Sequence, residues 1–161
     1  MAIETRPDQS VEIIPFETAH AAAFRALNLD WIRVHWEPEP SDYKVLDNPQ
    51  ASIIDQGGYI AIAVLRQEVV GTCALLKMDD ATFELAKMTV TDAVRGAGIG
   101  RKLANDVLAK ARALGAQRVY LESNTVLEPA IRLYRELGFQ EIAAQPSPYE
   151  RANIQMELFL S

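Results

Sequence analysis

The chain has 161 residues, 49% of them apolar and 24% charged, and a formal net charge of −6, which fits a globular domain with a full-sized core. The acidic balance argues against nucleic acid as the main partner, because neutralising phosphates needs a basic face. No run of 18 apolar residues occurs and the opening MAIETRPDQS leads into no apolar stretch. We therefore expect neither a membrane span nor a secretory signal, and poor packing over residues 1–10.

Val11–Phe16 (VEIIPF) predicts a first strand ending near Pro15. Thr18 is placed to cap a helix whose apolar positions include Ala22, Ala23, Leu27, Ile32 and Trp36. The prolines of EPEP, at 37–40, end it, because proline removes a donor and restricts the residue before it. A second helix is expected to begin at Asn48-Pro49 and to stop at Gly57-Gly58. Tyr59–Leu65, Val69–Met78 and Thr82–Thr91 read as three strands of an antiparallel meander, with Gly71 marking a bulge. Cys73, the single cysteine, lies in the middle strand and reads as a small buried hydrophobe. It cannot form an internal disulfide, which suits a reducing, cytoplasmic setting. No cysteine–histidine spacing suggests a metal, and none is expected.

From Gly98 onward the period changes. Ile99, Leu103, Val107, Leu108, Ala111 and Leu114 follow helical spacing up to Gly115. Arg118–Glu122 is a strand, and a strand–helix–strand unit favours parallel pairing. Leu127–Leu137 is a helix closed by Gly138, and Phe139–Ala143 and Asn153–Leu160 are the last two strands. The order gives one mixed α/β sheet in a single domain over 1–161.

Gly96, Gly98 and Gly100 stand at every second position at the doorway of the long helix, with Arg95 before them and Arg101-Lys102 after. Glycine lets the backbone turn sharply and approach a ligand without a Cβ in the way. The first helical turn has outward N–H groups, and the helix dipole adds about 0.3–1 kcal/mol for an anion there. Each N–H bond to a charged phosphate contributes about 1.5–3 kcal/mol at best. A pyrophosphate fits this description. The spacing G-x-G-x-G is neither the Walker nor the dinucleotide pattern. The glycines alone also fit a tight strand-to-helix turn with its basic residues in solvent.

Arg95-Gly96-Ala97-Gly98-Ile99-Gly100, preceded by Glu84-Leu85 and Met88-Thr89-Val90, resembles the coenzyme A loop of the GCN5-related N-acetyltransferase (GNAT) family. Asn124 to Phe139 (NTVLEPAIRLYRELGF) resembles that family's second signature, with a longer spacer here between Asn124 and Ala130. The element order is the family's as well, so the resemblance covers roughly residues 11–160. It implies a mostly antiparallel sheet flanked by helices, whose fourth and fifth strands splay apart to admit acyl-CoA.

The resemblance implies roles residue by residue. Backbone groups of Met88 and Val90 would pair with the pantetheine amides as an added strand does. The N–H groups from Arg95 to Gly100 would hold the pyrophosphate, that is Arg95, Gly96, Ala97, Gly98, Ile99 and Gly100. Arg101 and Lys102 would flank it, and Asn124 would contact the pantetheine arm, although Asn124 also suits a turn. Tyr134 matches the tyrosine that acts as general acid at the sulfur. Glu84 matches an acid that serves as base, and by period two it shares a face with Ala86, Met88 and Val90. Lys87 would point to the opposite face and reach solvent.

The acceptor side would draw on the first two helices and the last loop. Trp31, His35, Trp36, Glu37 and Tyr43 are candidates on one side, and Tyr149, Glu150 and Arg151 on the other. The implied activity is transfer of an acetyl group from acetyl-CoA to a primary amine of a small metabolite, amino acid or peptide, by direct attack. Cys73 lies away from both motifs, so no acyl-cysteine is expected. A non-catalytic acyl-CoA sensor on the same fold is the alternative. Strand edges leave a homodimer open, while neither nucleic acid nor a membrane is an expected partner.

Overall fold

The computed structural model describes residues 11–161; the expectation for residues 1–10 lies outside the described residues. Seven strands form one sheet: β1 (Glu12–Pro15), β2 (Tyr59–Leu65), β3 (Glu68–Lys77), β4 (Thr82–Val90), β5 (Arg118–Ser123), β6 (Gln140–Ile142) and β7 (Ile154–Phe159). Their order is β1-β2-β3-β4-β5-β7-β6. All neighbours are antiparallel except β4 and β5, which run parallel as the intervening helix requires. Among the described residues four α-helices accompany them: α1 (Ala21–Ile32), α2 (Pro40–Leu46), α3 (Ile99–Ala113) and α4 (Glu128–Glu136), with a short π-helix at Gln50–Ile54. The predicted mixed, mostly antiparallel α/β sheet is observed.

The sheet separates two apolar layers. One face packs Leu103, Val107 and Ala111 of α3 and Tyr134 of α4 on Ala61, Cys73, Phe83 and Leu85. The other packs Phe24, Leu29 and Ile32 of α1 and Leu46 of α2 on Ile60, Ile62 and Ala74. Alternation along β2 explains the division, since Ile60 and Ile62 face one layer and Ala61 and Ala63 the other. Gly71 lets α3 settle on β3, because an added Cβ would sit 3.0 Å from Leu103 Cδ1 and 3.1 Å from the Thr89 carbonyl. The bulge expected there is present. Ala63 pairs with Gly71 while Val64 pairs with Val69, leaving Val70 extra.

The helical region before β2 differs from the sequence reading. Pro40 does not stop a helix; it opens α2 at its first turn, where a missing N–H costs nothing. Glu39 and Asp42 form a reciprocal capping box around that start, the Glu39 N–H donating to Asp42 Oδ2 at 2.8 Å. α1 ends earlier than expected, at Ile32. Asn48 does accept the Ala51 N–H at 3.2 Å, but the turns after it wind into the π-helix rather than an α-helix.

A second irregularity governs the site. Thr72 pairs with Thr89 and Ala74 with Ala86, so β4 carries an extra residue, and Lys87 takes φ 54. Such a backbone costs a non-glycine residue about 1–2 kcal/mol. The Thr72 hydroxyl supports it by donating to the Lys87 carbonyl at 2.9 Å, and Asn28 donates to that hydroxyl at 3.2 Å. The bulge breaks the expected period-two face. Glu84 and Ala86 lie opposite Leu76 and Ala74 on the α2 side, whereas Met88 and Val90 pack in the α3 layer.

Candidate active site

β4 and β5 pair only over Thr82–Glu84 against Arg118–Tyr120. Beyond that they diverge, so among the described residues the edge of β4 from Leu85 to Val90 has no strand partner on the β5 side. Two adjoining cavities with shared lining make up a cleft along the gap. Its outer part is lined by Met88, Thr89, Val90, Arg95, Gly96, Gly98, Ile99, Gly100 and Arg101, and its inner part by Glu84, Lys87, Glu122, Tyr134, Tyr149 and Arg151. Trp31, Met88, Leu127 and Ala130 border both parts.

The outer end is the glycine loop. Gly96 and Gly98 adopt φ 90 and φ 80, and Gly98 is the N-cap of α3. Among the described residues, no backbone acceptor takes the N–H groups of Gly96, Gly98, Ile99, Gly100 and Arg101. Those of Arg95 and Ala97 are used inside the loop, on the carbonyls of Asp92 and Val94 at 3.3 Å each, so two of the expected donors are already engaged. The basic residues also have partners. Arg95 donates to the Val90 carbonyl at 2.9 Å and pairs with Asp92, and Arg101 pairs with Glu136. Lys102 does not line the cleft. The Arg95 contact engages the carbonyl of Val90, one of the backbone groups on the edge expected to face the pantetheine amides.

The inner end holds the titratable groups. Tyr134 is buried at 7% exposure, edge-on to Phe139, and its hydroxyl has no hydrogen-bond partner among the described residues. Burial, then the nearby Cys73 sulfur, raises its phenol above the usual range. Cys73, far from both motifs in sequence, thus packs in the same layer as Tyr134; it is fully buried, and burial pushes its thiol up. Glu84 likewise makes no hydrogen bond among the described residues. Burial and the neighbouring Glu122 carboxylate push its carboxyl up to about 7, against the opposing pull of Lys87. Glu122 is occupied on both oxygens, by the Tyr120 hydroxyl at 2.7 Å and the Ser147 hydroxyl at 2.8 Å.

The chain matches the sequence pattern of the acetyltransferase (GNAT) family over residues 21–139. The chain belongs to that family. The uncharacterized N-acetyltransferase YjgM of Escherichia coli is 46% identical over 59 residues, 37% of this chain and 35% of that relative. The match therefore spans about a third of the relative's length. A GNAT-family acetyltransferase of Staphylococcus aureus superposes with a TM-score of 0.86 at 23% identity, covering 94% of this chain and 99% of the other. The yncA protein of Salmonella typhimurium, solved with its cofactor acetyl-CoA, superposes with a TM-score of 0.76 at 20% identity, covering 94% and 95%. Both superpositions show the GNAT fold.

Within this GNAT frame, the acceptor-side candidates divide. Trp31 and Trp36, with ring centroids 6.1 Å apart, line the inner cavity, as do Tyr149 and Arg151. His35 does not; it is exposed and stands edge-on to Trp36 at 5.3 Å. Glu37 and Glu150 are exposed, and Tyr43, within α2, packs against the core layer of α1 with Arg25 over its ring. Asn124 borders the cavity, but both ends of its amide serve the turn, donating to the Arg151 carbonyl at 2.8 Å and accepting the Val126 N–H at 2.9 Å.

Lys87 overturns its expectation. Its side chain is 7% exposed rather than solvated, because the bulge turns it toward α2. Its Nζ lies 2.7 Å from Asp42 Oδ1 and 4.7 Å from the centre of the Tyr149 ring. Arg151 grips the same carboxylate at 2.6 and 2.8 Å, and its guanidinium carbon lies 4.6 Å from the centre of that ring. Burial would raise Asp42, yet the hydrogen bonds from Arg151 and the charge of Lys87 outweigh it and hold the carboxyl down at about 2. Sequence reasoning missed Asp42 and Glu122 altogether. Asp42 sits 45 positions from Lys87 and 109 from Arg151, so no local pattern announces the cluster.

No helix among the described residues is long and apolar enough to cross a membrane.

Proposed function

We propose that this protein transfers an acetyl group from acetyl-CoA to the primary amine of a small metabolite, amino acid or peptide, by direct attack in a ternary complex. The observation that carries the reading is the pair of adjoining cavities, sharing Trp31, Met88, Leu127 and Ala130, that run from a loop whose N–H groups lack a backbone acceptor among the described residues to Glu84 and Tyr134. The loop fits a pyrophosphate, and the unpaired edge of β4 fits a chain of amides laid along it. Acetyl-CoA supplies the activated thioester.

The residues of the inner cavity answer two proton problems. An alkyl amine has a pKa of roughly 10.4 and must lose a proton before its nitrogen can attack. Glu84, poised near 7, takes that proton at neutral pH without being too weak to hold it. The leaving thiolate, with a pKa of roughly 8.5, takes a proton from the Tyr134 hydroxyl. Trp31, Trp36 and Tyr149 give the acceptor an aromatic wall that favours an organic cation.

Calorimetry with acetyl-CoA, with plain phosphate and ATP as controls, tests the cofactor half. Selective micromolar binding, followed by thiol release with an amine panel, is the expected result. Binding with no thiol release from any amine would leave a non-catalytic acyl-CoA sensor, and no binding would remove the acyltransferase reading.

A further inference from the structure

The bulge in β4 places an ammonium and a carboxyl three residues apart on one face of one strand, and the two do not pair. No hydrogen bond or ion pair joins Lys87 to Glu84 among the described residues. A buried ammonium beside a buried carboxylate would ordinarily collapse onto it. Here the ammonium is committed elsewhere. Asp42, with no exposed side-chain surface, accepts from Lys87 at 2.7 Å and from both terminal nitrogens of Arg151. Its orientation is fixed in turn by the capping box at the start of α2. The Tyr149 hydroxyl accepts a second Lys87 N–H at 3.3 Å, and both Lys87 and Arg151 lie against its ring.

We propose that Asp42 is a positioning residue that sequesters the Lys87 ammonium and so leaves the Glu84 carboxylate free to take a proton from the acceptor. The inference rests on the reading of Glu84 as the base. Its geometry explains why a cation that shares the cavity with the base does not neutralise it. The other groups facing Glu84 do not substitute for Asp42. Glu122 and Tyr120, on β5, are bonded to each other, and Glu122 is also held by Ser147. Tyr149 and Arg151, from the segment before β7, are held against Asp42, Ser41 and Lys87. Lys44 of α2 borders the outer groove that reaches Glu84 from the other side, and it is exposed. Glu39 is occupied by the Glu150 N–H and by Arg151. A Lys87 released from Asp42 therefore finds Glu84 as the one facing carboxylate with no hydrogen bond of its own among the described residues.

The test reads Glu84 directly, by carboxyl-carbon NMR of glutamate-labelled protein titrated with acid, its signal assigned by its loss in Glu84→Gln. Wild type is expected to titrate near 7. Asp42→Asn should lower that midpoint by about 1–3 pH units, the effect of an opposite charge at contact distance. Adding Lys87→Met to Asp42→Asn should bring it back up. A purely structural Asp42 would lower the melting temperature in both variants and leave the midpoint where it was, which would overturn the inference. If Asp42→Asn does not fold, Lys87→Met alone decides. A rise of less than about one pH unit supports sequestration, and a larger rise shows that Lys87 already neutralises Glu84 and overturns it. The rate–pH profile of Glu84→Gln with the best amine of the panel separates the two readings. An unchanged acid limb there removes Glu84 as base whatever the NMR shows.

Discussion

Replacing Glu84 by glutamine should make the protein more stable, and only on the alkaline side. The carboxyl has an ordinary value of 4.5 and is raised to about 7 in the fold. The folded state therefore holds the proton more tightly than the unfolded chain does. The stability due to the neutral carboxyl is complete below 4.5 and is lost as pH rises through about 7. Keeping the charge buried above that pH costs up to about 3.5 kcal/mol, from the distance between the two values at about 1.4 kcal/mol per pH unit. Glutamine keeps the shape and cannot ionise. Urea unfolding of both proteins at pH 5 and pH 8 isolates the effect, because every other titration is common to both. The variant should gain roughly 2–3 kcal/mol more at pH 8 than at pH 5. An equal difference at the two pH values would refute the claim that burial and Glu122 hold this carboxyl neutral.

Three further outcomes are expected. Gly98→Val forces a β-branched residue to φ 80 at the N-cap of α3, where a Cβ meets nothing within 4 Å. It should weaken acetyl-CoA binding by about tenfold or more through loop strain of about 1–2 kcal/mol while circular dichroism stays unchanged, and equal affinity in calorimetry would sink the phosphate reading. Tyr134→Phe should lower turnover by about 10²–10⁴-fold with little change in acetyl-CoA affinity, and undiminished thiol release would remove it from the mechanism. Gly58→Ala would place a Cβ 2.4 Å from the Leu75 carbonyl. It should lower stability in urea by about 1–3 kcal/mol, and an unchanged midpoint would show that the Gly58 turn gives way freely.

The parts legible in the sequence are those whose cause is local. Tyr59–Leu65 is observed as a strand with the boundaries read from its apolar run. Gly115 and Gly138 close their helices at φ 86 and φ 105, as glycine after a periodic segment predicts. The loop from Arg95 to Gly100 is legible because glycine spacing and flanking charge lie within one short stretch. Pro40 misleads because proline both stops a helix and starts one, and the choice depends on the Glu39–Asp42 box closing around it. Lys87 misleads because period two holds only in an unbroken strand. The bulge that turns it inward is supported from Thr72 and Asn28, and the carboxylate that receives it comes from α2. Long-range partners of this kind leave no mark on the residues beside them.

The short contact between β4 and β5 has a mechanical consequence. Strands β1 to β4 form one plate and strands β5 to β7 another, joined across three register pairs and by the N–H groups of Gln117 and Arg118 on the Ala81 carbonyl. Beyond that short pairing the hydrogen-bond ladder is open, and the halves are tied there through side chains, Arg151 on Asp42 and Tyr149 on Ser41. A ligand laid in that opening supplies missing rungs to a sheet that is otherwise torn. Its occupancy should be felt well away from the cleft, as slower amide exchange in β5 and β7 and a melting temperature that climbs with acetyl-CoA concentration.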